Sequence, residues 1–338
     1  MKTIQSWVTA IAALGSMAAC GNGAYAQDFY AGKEVSLHIG FGSGGGYDSY
    51  SRLAARHLGR HIPGNPNVVP KNMPGAGGLK VANFMWRLAP KDGTALAMAA
   101  EALALEEILE GVGTDYKADE FIWIGRMFST ASVFFTWYTS PVKNIEEARE
   151  KEAIFGSSGP GITYYTPRAL NKLAGTKFKV VTGYTGSAEV ELAMERQEVH
   201  GGYGFWWELA YRRPEWMSEK KIQPLYVVYD QRIPELPGIP TMIELATTDE
   251  GRDIMKLLTS TTAIGRSIFT TAEVPADRIA QLRKAYLAML DSPAFQADLT
   301  KSGLRLIEPI GGEELQKIVK NTYTFPKALV EMAKEARE

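Results

Sequence analysis

The chain has 338 residues, and 37 Lys and Arg residues against 38 Asp and Glu residues give it a formal charge of −1. A chain of this length can bury a large core and has room for two domains. Hydrophobic residues make up 45% and charged residues 22% of the sequence, which excludes a disordered protein, and the balanced charge gives no sign of a nucleic-acid-binding surface. The composition therefore predicts a globular protein with no nucleic acid among its partners.

Residues 1–26 have the pattern of a secretory signal peptide. Lys2 lies in a short n-region, an apolar stretch covers residues 7–19, and Ala24-Tyr25-Ala26 precedes Gln27. These are the three parts of a secretory signal that ends in a small-residue cleavage site. The pattern predicts an exported, periplasmic protein whose mature chain begins at Gln27.

Cys20 is the single cysteine of the sequence, and it leaves with the signal peptide if cleavage follows Ala26. The segment Met17–Cys20 also resembles a lipoprotein cleavage box, in which Cys20 would carry the lipid, but Met17 fits the first position of that box poorly. We therefore predict a soluble product, and anchoring through Cys20 is the alternative. Beyond residue 26 no apolar run reaches the roughly 18 residues that span a bilayer.

The remaining sequence alternates apolar, β-rich runs with helical patterns, which is typical of an α/β protein with mainly parallel sheets. In chain order, its first part predicts three strands and two helices. The strands are expected at 35–41, at 66–72 and, after an Asp92-Gly93 turn, within 92–100; the helices are expected at 49–62 and within 73–89.

Four later β-rich runs predict a second sheet. The segment 231–241 is rich in proline and cannot be a central strand, so it predicts a crossing between domains. The tail after Pro275 has clear helical periodicity. The four runs of the second sheet lie at 127–140, 152–161, 178–187 and 222–230.

A glycine-rich loop follows the first predicted strand. Its Gly40-x-Gly42-x-x-Gly45 spacing matches a dinucleotide-binding loop, which needs an acidic residue about 20 positions further on for the ribose. Between Ser49 and Lys91 the sequence contains no Asp or Glu. The nucleotide hypothesis is therefore weakened, although an NADP-type site with arginine in place of the acid stays open.

Two further loops join a strand to a helix with small residues, at 155–165 and 182–196. The N-terminus of a helix offers unpaired N–H groups and about half a positive charge, which suits a carboxylate or a phosphate. Ser187 stands at a natural N-cap position, and Asp48 is able to cap a helix that begins near Ser49. The three loops predict a cleft for a small anion; ordinary turn and cap chemistry is the alternative for each one.

Enzyme sites are not indicated by the other motifs. The segment Gly156–Pro160 misses the nucleophile elbow of serine hydrolases because Pro160 takes the place of the last glycine. His57 and His61 have metal-ligand spacing, but Leu58 stands where a metalloprotease has its glutamate. We predict no catalytic group, no metal site and no cofactor.

An aromatic cluster covers residues 203–211, and Tyr164 and Tyr165 form a smaller one. Aromatic residues dominate protein cores as well as binding sites. Core packing is therefore the alternative for each ring, and at least one ring is expected to line the cleft.

Several segments, in order, resemble the extracytoplasmic solute receptors of the tripartite tricarboxylate transporters, also called Bug receptors. The similarity extends from about Val35 to the C-terminus. It is carried by IGFGSGGGYDSYSR (39–52), NMPGAGG (72–78), APKDGTALAMA (89–99), GYTGSAEVELAMERQEV (183–199) and RIPELPGIPTMIE (232–244).

The resemblance implies a type II periplasmic binding protein, in which two α/β lobes close on a small carboxylate held largely by backbone groups and waters. Lobe 1 would comprise 27–128 plus 232–338, and lobe 2 would comprise 129–231. Tyr47, His200 and the segment GGYGFWWE depart from the usual family pattern, so the ligand cannot be carried over. The expected ligand-binding residues are Gly44, Gly45, Tyr47, Asp48, Ser157, Ser158, Gly159, Tyr164, Gly186, Ser187, Tyr203 and Trp206.

The predicted function is capture of a small organic anion, a carboxylate, by a monomeric periplasmic receptor that delivers it to the permease subunits of a membrane transporter. The protein is expected to be a binding protein rather than an enzyme. Two alternatives stay open: an exported enzyme that acts on a small anion in the same cleft, and a sensor subunit that presents its ligand to a receptor.

Overall fold

The computed structural model describes residues 29–337. The predicted signal peptide, its cleavage before Gln27 and the lipidation alternative at Cys20 all lie outside the described residues. No helix within the described range is long and apolar enough to cross a membrane.

Two mixed sheets organise the described chain. The first has six strands in the order β11-β4-β10-β3-β1-β2, and the second has five in the order β7-β6-β8-β5-β9. The strands are β1 Glu34–Ile39, β2 Asn67–Asn72, β3 Ala95–Met98, β4 Ile122–Phe128, β5 Ser132–Trp137, β6 Ala153–Ser157, β7 Phe178–Thr182, β8 Gly201–Gly204, β9 Ile222–Val228, β10 Arg266–Thr270 and β11 Ile310–Gly311.

Helices cover both faces of each sheet. Short 3₁₀ turns extend several of them. The α-helices are α1 Gly46–Leu58, α2 Leu79–Arg87, α3 Leu103–Ile108, α4 Ile145–Glu150, α5 Ile162–Ala174, α6 Ser187–Glu195, α7 Trp206–Arg212, α8 Pro214–Ser218, α9 Asp249–Thr259, α10 Ala276–Leu290, α11 Pro293–Lys301, α12 Gly312–Asn321 and α13 Lys327–Ala336.

The strand directions correct the prediction of mainly parallel sheets. In the first sheet β1 is parallel to β2 and β3, whereas β10 is antiparallel to both β3 and β4. In the second sheet β6 is parallel to β7 and β8, whereas β5 is antiparallel to β8 and β9. The antiparallel strands β5 and β10 are the first strands that the chain enters after each crossing between the sheets.

Alternation along the strands builds the core of the first lobe, which we define as the first sheet and its helices. In β3, Leu96 and Met98 pack with α1, α10 and α11, while Ala95 and Ala97 face α2, α3 and α12. Every residue of β3 is buried, as expected for a strand covered on both faces.

The second lobe is the second sheet with its helices. One of its faces packs against α4 and α5 and the other against α6 and α8. The late helices α9 and α13 also join the core of this lobe, through residues such as Met255 and Ala333. The division into 27–128 plus 232–338 and 129–231 stays a prediction, and these two helices pack against the second sheet rather than the first.

Candidate functional site: the cleft between the lobes

Loops from the two lobes meet in direct backbone contact. The amide of Gly42, in the loop after β1, donates to the carbonyl of Thr185 at 2.9 Å, and the amide of Gly77 donates to the carbonyl of Ser158 at 2.9 Å. Both acceptors lie in loops that follow strands of the second sheet. The structure is therefore a closed form, with the carboxyl ends of parallel strands facing each other across the contact.

A cavity of about 40 Å³ is enclosed between the lobes, and we call it the interlobe cavity. A space of this size holds a few ordered waters. The first lobe contributes Phe41, Tyr47, Gly77, Ala100, Glu101, Ala102 and Arg266 to its wall, and the second lobe contributes Ser132, Ser158, Pro160, Gly161, Ile162, Thr163 and Tyr203.

A buried ion pair lies in the wall of the interlobe cavity. Arg266 Nη1 donates to Glu101 Oε2 at 3.0 Å, and the two residues are 7% and 3% exposed. Burial raises the pKa of Glu101, and Arg266 gives the largest opposing contribution, followed by the hydroxyl groups of Thr130 and Tyr47. A paired, hydrogen-bonded charge is the form in which proteins tolerate buried ions.

Two tyrosines bring phenol groups to the same cavity. The Tyr47 oxygen accepts a hydrogen bond from the amide of Glu101 at 3.0 Å, and the Tyr47 ring stacks on Phe41 at 4.2 Å between centroids. Burial raises the pKa of Tyr203 to about 12, against the effect of a hydrogen bond with the Ser158 side chain. The Tyr203 phenol therefore stays protonated at neutral pH and is able to donate a hydrogen bond to an anion, whereas the Tyr47 hydroxyl donates to Glu101 Oε2 at 3.4 Å.

Asp48 organises the glycine-rich loop rather than the cavity. Its carboxylate accepts from the Gly44 amide at 3.0 Å, from Arg52 Nε at 2.9 Å and from Asn72 Nδ2 at 2.8 Å. Burial by itself would raise the pKa of Asp48, but these hydrogen bonds, that from Arg52 first, lower it. The helix begins at Gly46 rather than near Ser49, with Gly45 at its N-cap, so Asp48 lies in the first turn and is not the cap that the sequence suggested.

Ser187 is the first residue of α6 and not its N-cap, which corrects the capping prediction. The N-cap is Gly186, and no side chain caps the helix there. The carboxylate of Glu189 instead accepts from the Thr185 amide at 2.6 Å.

The glycines of the first loop and the start of α6 form the surfaces along which the lobes touch. A Cβ atom built on Gly45 would lie 2.8 Å from Ser187 Oγ, and one on Gly44 would lie 3.7 Å from the Ala188 Cβ. Gly44, Gly45, Gly186 and Ser187 thus face each other across the lobe contact and are absent from the cavity wall.

Ser157, Ser158 and Gly159 lie at the end of β6 and in the loop that follows it. Of the three, only Ser158 belongs to the wall of the interlobe cavity. Ser157 is fully buried; its Oγ accepts from the Gly159 amide at 3.2 Å and lies 2.8 Å from Thr163 Oγ1. Ser158 lines the interlobe cavity. Gly159 faces a second, outer cavity.

The outer cavity has a volume of about 540 Å³ and lies beside the loop after β6. Tyr164 belongs to its wall, with the Arg168 guanidinium 4.9 Å from the ring centre. Trp206 belongs to neither cavity; it packs against the core clusters around Val133 and Leu209. Of the predicted aromatic residues, Tyr47 and Tyr203 are therefore brought to the interlobe cavity, and Tyr164 and Trp206 are not.

Sequence reasoning missed the ion pair. Glu101 follows β3 and is the only charged residue in the otherwise apolar segment 95–105, a signal that could have marked it as a special position. Arg266 opens β10, a strand that the sequence analysis did not predict. The two residues are 165 positions apart, so no local pattern joins them.

Two α/β lobes that close over a cavity at the carboxyl ends of their strands define the class of two-lobed solute-binding proteins. The family model described as tripartite tricarboxylate transporter family receptor matches residues 51–334. The chain belongs to this family, as the resemblance predicted. No curated protein matches the sequence.

Solved structures share the fold. The periplasmic binding protein BugD is 20% identical, with 91% of this chain and 98% of that chain covered and a TM-score of 0.69. The R. palustris protein Rpa4515 with adipate is 21% identical, with coverages of 90% and 97% and a TM-score of 0.66. MatC from Rhodopseudomonas palustris, with bound malate, is 18% identical, with coverages of 90% and 99% and a TM-score of 0.66. These likenesses confirm the predicted type II periplasmic binding protein fold.

Proposed function

We propose that the chain is an exported receptor that captures a small organic carboxylate between its lobes and delivers it, in the closed form, to the permease subunits of a tripartite tricarboxylate transporter. The observation that carries the proposal is the interlobe cavity, to which the buried Arg266 and the protonated Tyr203 bring hydrogen-bond donors. Membership of the receptor family supports the transport role. The adipate and malate bound to two structural relatives support a carboxylate as the ligand class.

In this proposal Tyr47, Ser158, Tyr203 and Arg266 contact the ligand. The volume of about 40 Å³ is far below the several hundred Å³ of usual ligand sites. In this proposal the lobes therefore separate to admit the ligand, and the walls of the cavity then close around it. Gly44, Gly45, Gly186 and Ser187 then act as closing surfaces, while Asp48, Ser157 and Gly159 hold the loops in shape.

In this proposal the protein acts as a monomeric binding protein rather than an enzyme: one chain supplies both walls of the cavity, and membership of the receptor family supports binding rather than catalysis. The signal-peptide pattern of residues 1–26 supports a periplasmic location. No cofactor is required for this activity.

The proposal is tested by mass spectrometry of small molecules released from the purified protein, followed by a thermal-shift screen of carboxylates. We expect a carboxylate that raises the melting temperature and is recovered unchanged after incubation. Small-angle scattering should give a smaller radius of gyration with that ligand bound. Recovery of a chemically altered product would instead indicate an exported enzyme, and a protein that no carboxylate stabilises would contradict the proposed ligand class.

A further inference from the structure

Arg266 is held in one orientation in the wall of the interlobe cavity. Its Cζ atom lies 3.6 Å from the centre of the Tyr47 ring and 4.7 Å from that of the Phe205 ring. Its Nη1 donates to Glu101 at 3.0 Å. Stacking on two rings and a charged hydrogen bond together fix a planar guanidinium before any ligand arrives.

The positive charge of Arg266 is already balanced by protein carboxylates. Glu101 is its direct partner, and Glu208 of the second lobe is also buried, at 4% exposure. Burial raises the pKa of Glu208, and Arg212 and then Arg266 oppose that rise. A bare carboxylate ligand beside Arg266 is therefore attracted by the guanidinium and repelled by Glu101 over a similar distance, and the two Coulomb energies largely cancel.

Both members of the pair keep hydrogen-bonding capacity for a ligand. Within residues 29–337, Arg266 Nε has no hydrogen-bond partner. The buried Oε1 atom of Glu101 likewise has no hydrogen-bond partner within these residues, whereas its Oε2 atom accepts from Arg266 at 3.0 Å and from the Tyr47 hydroxyl at 3.4 Å. A ligand with an acceptor and a donor side by side would satisfy both residues.

We propose that the Arg266 and Glu101 pair selects, within the carboxylate class, ligands that have a hydrogen-bond donor on the carbon next to the carboxylate. These are 2-amino and 2-hydroxy carboxylates. The ligand carboxylate accepts from Arg266 while the neighbouring ammonium or hydroxyl group donates to Glu101. The inference rests on the proposed function, because it takes the interlobe cavity as the ligand site.

The size of the selectivity follows from the burial of the pair. A site built to bond a ligand donor rejects the analogue without it, because the buried acceptor of the site is then left unpaired. Glu101 is negatively charged when ionised, so an ammonium group gains more from it than a hydroxyl group does. We expect amino and hydroxy acids to bind at least about tenfold tighter than the plain acid of equal length, the amino acid most tightly.

The test is calorimetric titration with two matched series at one pH and salt concentration. One series is succinate, malate and aspartate, and the other is adipate, 2-hydroxyadipate and 2-aminoadipate. Glu101→Gln should reduce the ratio of the Kd of the plain acid to that of the amino acid at least about tenfold. The ammonium group loses its counter-charge, and Arg266, which then lacks its carboxylate partner, attracts the plain acid more strongly.

The matched control is Glu106→Gln. Glu106 is likewise a buried carboxylate, 1% exposed, but it lies in the wall of the outer cavity and not in that of the interlobe cavity. This variant should keep the ligand ranking of the unmodified protein. If both variants lost the preference for amino and hydroxy acids over the plain acid, that loss would be due to general destabilisation, and the inference would be overturned.

The unmodified protein decides the inference even if Glu101→Gln fails to fold. Succinate or adipate binding as tightly as its amino and hydroxy counterparts would overturn the selectivity while leaving a carboxylate receptor in place. Failure of all six acids to bind would overturn the inference, while the proposed function would fall only if the thermal-shift screen also found no carboxylate that stabilises the protein.

Discussion

Gly77 gives a direct test of lobe closure. It has φ +61°, its amide donates across the lobe contact to Ser158, and a Cβ atom built on it would lie 2.0 Å from the Pro160 carbonyl oxygen. Real Cβ atoms essentially never come within 3.0 Å of such a neighbour, and a backbone carbonyl cannot rotate away as a side chain would. We therefore expect Gly77→Ala to leave each lobe folded but to prevent full closure.

The loss of affinity can be worked from that contact. If the lobes separate at Gly77, one interlobe hydrogen bond is lost, which costs about 1 kcal/mol net. The overlap between the new Cβ atom and the Pro160 carbonyl costs about 1–3 kcal/mol, whether it persists or the backbone shifts to remove it. The closed form is then disfavoured by about 2–4 kcal/mol, which is roughly 30- to 700-fold in Kd if the ligand binds only the closed form. The strain of a left-handed alanine, about 1 kcal/mol, acts in the open form as well and lowers the melting temperature without affecting Kd.

Gly175→Ala is the matched control. Gly175 has φ +72° at the end of α5, and a Cβ atom built on it meets nothing within 4 Å among the described residues. Both variants should lose similar thermal stability, whereas only Gly77→Ala should weaken ligand binding and keep a large radius of gyration at saturating ligand. Equal Kd values for the two variants, within about threefold, would refute the assignment of this contact to closure.

Three further changes test other parts of the structure. Burial raises the pKa of Glu106 to about 7 from a usual 4.5, so its ionisation removes up to about 3 kcal/mol of stability as pH rises through that interval. Glu106→Gln should therefore melt higher relative to wild type at pH 8 than at pH 5, and parallel pH profiles would contradict this. Ser187→Asp should keep the melting temperature, because an acid suits the first turn of α6, yet weaken ligand binding by placing a carboxylate against Gly45 on closure; an unchanged isotherm would remove Ser187 from the closing surface. Asp48→Asn should cost about 2 kcal/mol in urea unfolding, because Arg52 and the Gly44 amide lose a charged acceptor, and an unaltered midpoint would count against that role.

Much of the two-sheet architecture could be predicted, because β-rich runs and helical periodicity are local patterns. The directions of the strands could not be predicted. The strand β10 is short and begins with a charged residue, and only tertiary packing places it between β3 and β4. The start of α1 was missed for a related reason. The sequence assigns Gly46 to the glycine-rich loop, and the hydrogen bond from the Gly44 amide to Asp48, which accompanies the earlier helix start, is visible only in the structure.

The site was predicted at the level of loops rather than side chains. Tyr47, Ser158 and Tyr203 lie in the cavity wall. The family resemblance indicated the loops that contain Tyr47 and Ser158, and the aromatic cluster indicated the segment that contains Tyr203. Trp206 lies elsewhere, because a position three residues beyond Tyr203, at the start of α7, directs its ring toward a different core. Whether a loop residue points into a cleft or supports the loop depends on rotation about a few backbone bonds, which sequence composition does not specify.

In the mechanism proposed here, closure and ligand selection depend on the same buried groups. The two interlobe hydrogen bonds through Gly42 and Gly77 contribute about 1 kcal/mol each, which is small beside the several kcal/mol per ion needed to take an arginine and a glutamate out of water. We infer that Arg266 and Glu101, which are 7% and 3% exposed here, are hydrated at the cleft surface when the lobes separate, and that closing removes that water. A ligand that bonds both residues offsets the desolvation of the pair, whereas a ligand that bonds only Arg266 leaves the buried Glu101 Oε1 without a partner. Because a ligand stabilises a conformation only by its differential affinity for it, the acid that best matches the ion pair is also the one that most favours the closed form.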